Sequence, residues 1–199
     1  PASMASAFMN QNVTGQLTVY GTVIGSTDNP TVEAHISSDT IHVDNARYNH
    51  LLFEGGLKNH VITISRGHII DGDGGYSVTG TLGTDGNSPI NLIVDAESVR
   101  LENAIRPFVD FPITGWVSAT NQVTGTINNP IVQGQVNMWD GSVYEKLVSN
   151  VQASYIYQNN VLSIPDATVI AYGATINGAG KLMGRNLDFN FVGDKIDIG

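Results

Sequence analysis

Apolar and polar positions alternate with a period of two along most of this chain. Val32-Glu33-Ala34-His35-Ile36, Tyr76-Ser77-Val78-Thr79-Gly80-Thr81-Leu82, Val151-Gln152-Ala153-Ser154-Tyr155-Ile156-Tyr157 and Leu187-Asp188-Phe189-Asn190-Phe191 all show it. Successive side chains of a strand point to opposite faces, so each segment predicts a β-strand with one apolar and one polar face. Helical periodicity is nearly absent. Between the alternating runs stand Asp28-Asn29-Pro30, Lys58-Asn59, Asp71-Gly72-Asp73-Gly74-Gly75, Asp85-Gly86-Asn87, Asn128-Asn129-Pro130 and Gln158-Asn159-Asn160. Asn, Asp and Gly tolerate positive φ and Pro presets a turn, so these are breaks with a mechanism. Short loops between consecutive strands predict antiparallel neighbours in a meander.

The pattern then repeats. Thr14-Gly15, Val23, Gly25, Asn29-Pro30 and Val32 return as Thr114-Gly115, Val123, Gly125, Asn129-Pro130 and Val132, 100 positions on (Pro130 minus Pro30). The register holds through Ile64/Ile164, Gly80/Gly180 and Leu82/Leu182. After that the second copy loses three residues, so Ile90-Asn91-Leu92 aligns with Leu187-Asp188-Phe189. A repeat of this kind outranks local propensity as a guide to architecture. It divides the chain into a lead (1–12), a first β unit (13–101), a joint (102–112) and a second β unit (113–199), with about seven strands per unit. Pro1 to Ser6 read as a cloning remnant, and the patterned end at Asp197-Ile198-Gly199 reads as a piece of a longer chain. From Val99 to Phe111 the pattern fails: Leu101, Ala104, Ile105 and Phe108 approach helical spacing until Pro107 and Pro112 stop it. That predicts a strand end, a short helical turn and the joint.

With no helical layer to cover them, the apolar faces have three destinations. Two β-sandwiches with dry cores are one. A β-solenoid is another, although solenoid coils repeat at a few tens of residues. The third is one antiparallel sheet curled into a long open groove with an apolar interior. Gly80 and Gly180 fall on the apolar face, where they let a sheet bend. About fourteen open strands would make a sheet roughly 65 Å long. So large an apolar trough needs an occupant, and a hydrocarbon chain is the natural one.

Composition narrows the function classes. Charged residues are 14% of the chain, and the net charge is −9 with nine Lys plus Arg. Nucleic acid needs clustered cations, and those here are scattered singly. There is no cysteine, hence no disulfide frame and no thiol chemistry. No run approaches the roughly 18 apolar residues of a membrane span.

Candidate chemistry is thin. His35, His42, His50, His60 and His68 all lie in the first unit at spacings that match no zinc signature, and they read as surface-strand residues. Asp71-Gly72-Asp73-Gly74-Gly75 has part of a calcium loop without the closing Glu, and reads as a turn. No Gly-x-Ser-x-Gly elbow is present, and Asp71 and Asp73 flank no evident cleft. The Asn12-Val13-Thr14 sequon carries no weight here. Tyr155, Tyr157, Phe189 and Phe191 fit core packing and acyl contact about equally. The expectation is a protein with no catalytic residues, no metal and no cofactor.

Val123-Thr124-Gly125-Thr126-Ile127-Asn128-Asn129-Pro130-Ile131-Val132-Gln133-Gly134 resembles a repeated phrase of TamB proteins, followed as in that family by an Asp140-Gly141 turn and a glycine-bearing strand from Gly173 to Gly180. Residues 13–36 give a more degraded version, with Thr40 and Ile41 in place of the Asp-Gly. The resemblance covers most of residues 13–198. It implies an inner-membrane-anchored, AsmA-like periplasmic protein whose taco-shaped β-sheet carries phospholipid acyl chains toward the outer membrane. It also implies a part in outer-membrane biogenesis with a partner outer-membrane barrel. On that reading the lipid-facing residues are Leu17, Val32, Ile36, Ile64, Val78, Leu82, Leu92, Val132, Val136, Met138, Tyr155, Ile164, Ile176, Leu182, Leu187, Phe189 and Phe191. A β-augmentation scaffold for barrel assembly and a structural or adhesive β module are the alternatives. A homodimer through the open sheet edges is a further expectation.

Overall fold

In the computed structural model, residues 12–43, 46–105, 112–184 and 186–194 are described. They form one antiparallel sheet of thirteen strands. The first unit contains β1 (Val13–Gly15), β2 (Thr18–Gly25), β3 (Pro30–Val43), β4 (Ala46–Lys58), β5 (Val61–Asp71), β6 (Gly74–Gly83) and β7 (Ile90–Arg100). A five-residue helix, α1 (Leu101–Ile105), follows. The second unit contains β8 (Ile113–Gly125), β9 (Pro130–Val143), β10 (Lys146–Gln158), β11 (Val161–Ala171), β12 (Ala174–Met183) and β13 (Asn186–Asp194). Strands β3 to β6 and β9 to β12 start and stop at positions 100 apart, so the repeat read from the sequence is also the repeat of the ladder.

The ladder is a meander in which each strand from β3 to β12 pairs with the one before and the one after. β1 and β2 lie end to end along β3, divided at Gln16-Leu17. Their counterpart β8 is continuous along β9, where Asp140 and Gly141 stand opposite the single residue Gly115 as a bulge. The seven strands expected per unit are therefore six ladder positions, the extra one being this split. Twelve positions at about 4.8 Å give a sheet roughly 50 Å long. Extensive contacts among the described residues run between ladder neighbours and between α1 and strands β7 and β8. Among the described residues all strands belong to this one sheet, which is not closed, so two separate β-sandwich units do not form.

Turn chemistry explains the hairpins. Asn59-His60 sit at φ 50° and 61°, and Asn159-Asn160 at 52° and 61°. Two successive positive φ values make a type I′ turn, whose twist matches the strands it joins. Asn29 N donates to Ser26 O and Oγ, and Asn129 N donates to Thr126 O and Oγ1, the same cap in both units. Asp140-Gly141 is not a turn. Gly141 pairs with Val148 inside β9, Asp140 takes φ 49° as a bulge, and the chain reverses later at Tyr144-Glu145. An Asp-Gly pair satisfies either geometry, and the pairing of Ser142 and Val143 decides for the bulge.

The dry core is small and lies at the seam between the units. Val99, Leu101, Val117 and Met138 are buried together, with Tyr76, Ala96, Ile113, Val136, Val148 and Val151 against them. Val99, Val117, Met138 and Val151 are direct cross-strand partners, and α1 adds Leu101 over them. The joint is pinned by Gly115 N donating to Glu102 Oε2 at 3.3 Å and by the Arg100 guanidinium 4.1 Å over the Trp116 ring.

Candidate functional site: a continuous apolar sheet face

Directly opposed residues of an antiparallel ladder share a face, so register shows where each alternating run points. One row of partners crosses all twelve ladder positions. It runs Gly21, Ala34, Gly55, Ile64, Gly80, Leu92, Val123, Val132, Tyr157, Leu162, Leu182, Leu187. Every member is glycine, alanine, aliphatic or tyrosine. A parallel row runs Val19, Ile36, Phe53, Gly67, Val78, Val94, Asn121, Gly134, Tyr155. On the other face Ile93, Gln122, Gln133, Ile156, Ser163, Lys181 and Asp188 form a mostly polar and exposed row.

Sixteen of the seventeen residues singled out from the sequence lie on the apolar face by this register: Val32, Ile36, Ile64, Val78, Leu82, Leu92, Val132, Val136, Met138, Tyr155, Ile164, Ile176, Leu182, Leu187, Phe189 and Phe191. Leu17 stands apart, in the break between β1 and β2, and is exposed. Most of the others are half-buried, Met138 is buried, and Leu187 and Phe191 on β13, the last described strand, are exposed.

Two irregularities recur at equivalent places on this face. The β5/β6 register shifts between Ile64 and Gly67, and the β11/β12 register shifts between Ile164 and Ala167. Each shift adjoins the pairing of an isoleucine with a glycine, Ile64 with Gly80 and Ile164 with Gly180. Bulges beside glycines are the usual device for bending a sheet. A Cβ on Gly80, which sits at φ 126°, would lie 2.1 Å from the Asn91 carbonyl oxygen. On Gly180 it would lie 2.4 Å from the Phe189 ring.

Polar groups on this face are few, and their partners differ. Asn121 donates to Val94 O at 3.0 Å and accepts from the Tyr155 hydroxyl. Ser38 Oγ donates to Gln16 O at 2.7 Å, bridging the split edge. Burial raises the Tyr155 phenol above its ordinary range, with the Asn121 bond opposing. Sequence reasoning missed the cluster of Asp71, Tyr76 and Tyr48 at the end of β5. Ile69 pairs with Tyr76, which places Asp71 on the apolar face. Asp71 is buried, its Oδ2 has no hydrogen-bond partner among the described residues, and the Tyr48 and Tyr76 rings meet edge to face at 6.3 Å. Burial first, then the Tyr48 hydroxyl and the Asp71 carboxylate, push the Tyr76 phenol well above its ordinary value. The signal in the sequence was a charge where the alternation calls for an apolar residue; the second unit has Ala171 there.

The remaining candidates lie elsewhere. Glu54 contacts His35 Nδ1 at 3.4 Å and Arg66 Nη1 at 3.7 Å, beside an open depression of about 670 Å³ that Glu33 and Thr63 also line. His42, His50 and His68 line a second depression of about 680 Å³. Among the described residues, no three of His, Asp and Glu are arranged to hold a metal ion, and no helix is long and apolar enough to cross a membrane. Family models, curated proteins and solved structures were compared with the chain, and none matches it.

Proposed function

We propose that this chain is a section of a TamB-like periplasmic envelope protein, and that its apolar face is the wall of a groove for phospholipid acyl chains. In the full-length protein such a groove would lead from the inner toward the outer membrane and serve outer-membrane biogenesis with a barrel partner. The observation that carries this reading is the row from Gly21 to Leu187, which is apolar at all twelve ladder positions of a sheet that is not closed. The paired bulges beside Gly80 and Gly180 support curvature toward a trough.

The mechanism is partition. Acyl carbon leaving water for such a face gains about 25 cal/mol per Å² buried, while a headgroup stays at the wet rim. From Leu92 to Leu187 aliphatic side chains and Tyr157 succeed one another along the row, so over that stretch the gain is nearly even and a chain can slide; from Gly21 to Gly80 the small residues leave room rather than contact area. No proton transfer, nucleophile or metal is required.

Native mass spectrometry of the purified chain, with lipid extraction from the same preparation, tests this. Phospholipid or detergent that co-purifies and is lost in Val136→Arg and Phe189→Arg variants of unchanged β content is the expected result. A clean apo mass with no uptake of an apolar dye would overturn it.

A further inference from the structure

The junction between the two units is a template for what docks on the two outer edges. Inside the chain, the last strand of unit one, β7, pairs with the first strand of unit two, β8: Leu92 with Val123, Val94 with Asn121, Ala96 with Ala119. The far edge of the sheet is the last strand of unit two, β13. Gly80 and Val78 pair with Leu92 and Val94, whereas Gly180 and Gly178 pair with Phe189 and Phe191, so β13 occupies the place of β7. The near edge, β2, occupies the place of β8, since both pair with the strand that follows in identical register, Val23 with Val32 and Val123 with Val132. Among the described residues, both halves of the internal junction therefore stand unpaired, one at each end of the sheet.

Side chains at the edges fit that use. β2, Thr-Val-Tyr-Gly-Thr-Val-Ile-Gly, has no charge and no proline, the usual guards of an exposed edge. Its large residues are exposed on both faces, as is Val192 on the polar face of β13 at 76%. Transferring the β7–β8 register sets Phe189 against Val23, Phe191 against Gly21 and Val192 against Tyr20. Exposed apolar groups thus meet one another on both faces.

We infer that β2 of one copy of this chain adds to β13 of a second copy in the register of the internal junction. The contact is head-to-tail, so each added copy leaves a fresh β13 and a fresh β2, and assembly runs on instead of stopping at a dimer. The apolar row would continue across the joint. This inference concerns the 199-residue chain itself and does not depend on the lipid reading.

The absence of cysteine makes cross-linking clean. Asn190→Cys and Thr22→Cys variants mixed under mild oxidation should yield the mixed disulfide, with loss of that product when Tyr20→Lys and Ile24→Lys guard the β2 edge. Because a ladder alternates closely and widely spaced partners, the Phe189→Cys and Val23→Cys pair is run in parallel on the other face. Sedimentation of the unmodified chain should show a concentration-dependent series of species beyond the dimer. Homodisulfides of either single variant as the main product would indicate edge-to-like-edge pairing and overturn the proposal. So would a monomer at every concentration with neither mixed disulfide formed, provided circular dichroism shows the strands intact.

Discussion

Leu17 and Val117 occupy the same position of the repeat, yet Val117 is 4% exposed and Leu17 57%. Val117 has β7 on one side, β9 on the other and α1 over it. Leu17 lies on an edge, in the break between β1 and β2. Val94 and Phe191 make the same point at the other end of the units: Val94 is half-buried between β6 and β8, whereas Phe191 has β12 on one side and, among the described residues, no strand on the other. From β3 to β6 and β9 to β12 equal sequence patterns give equal strands and faces. Burial belongs to the neighbours a strand acquires.

The contrast is broken hardest by putting a charge at both positions. Val117→Asp buries an unpaired carboxylate in the seam core and should cost about 3 kcal/mol or more in urea unfolding. Leu17→Asp should stay within about 0.5 kcal/mol. Similar losses at both would mean that the edge is covered in solution. A glycine pair comes next. Gly80→Ala puts a Cβ against the Asn91 carbonyl at φ 126° and should cost about 1–3 kcal/mol in the same assay. Gly173→Asn, in a turn at φ 74° with open space around it, should be nearly neutral.

The phenol at Tyr76 separates the units by pH. Its value is raised in the folded state, so the associated stability is fully present below the unfolded tyrosine value near 10 and drains away as pH rises above it. Alkaline unfolding should therefore be shallower in Tyr76→Phe, whose counterpart in unit two is Ile176. The smallest effect is expected from Asp71→Ala, which installs the residue of unit two. Phenolate absorbance should then show Tyr76 titrating lower than in the parent but still above an exposed tyrosine, since burial is the leading cause. No movement at all would remove Asp71 from the cluster.

Much of the apolar face was legible because period-two alternation and direct cross-strand pairing obey the same geometry. Val32, Val132, Leu82 and Leu182 lie where their patterns place them. The Asp140-Gly141 step was misread because positive φ serves a bulge as well as a turn, and only the pairing beyond it distinguishes them. Asp71 lay in a segment read as a turn, so its place on the apolar face waited for the register of Ile69 with Tyr76.

The sequence by itself determined the strands, their two faces and the 100-residue copying, since each follows from local backbone preference and side-chain alternation. Tertiary structure decided that the strands make one open layer and that the dry core gathers where α1 meets Val99, Val117 and Met138. It also decided that, among the described residues, β2 and β13 have a strand on one side only. Those outcomes depend on which strand stands beside which, and alternation within a strand carries no information about its neighbour.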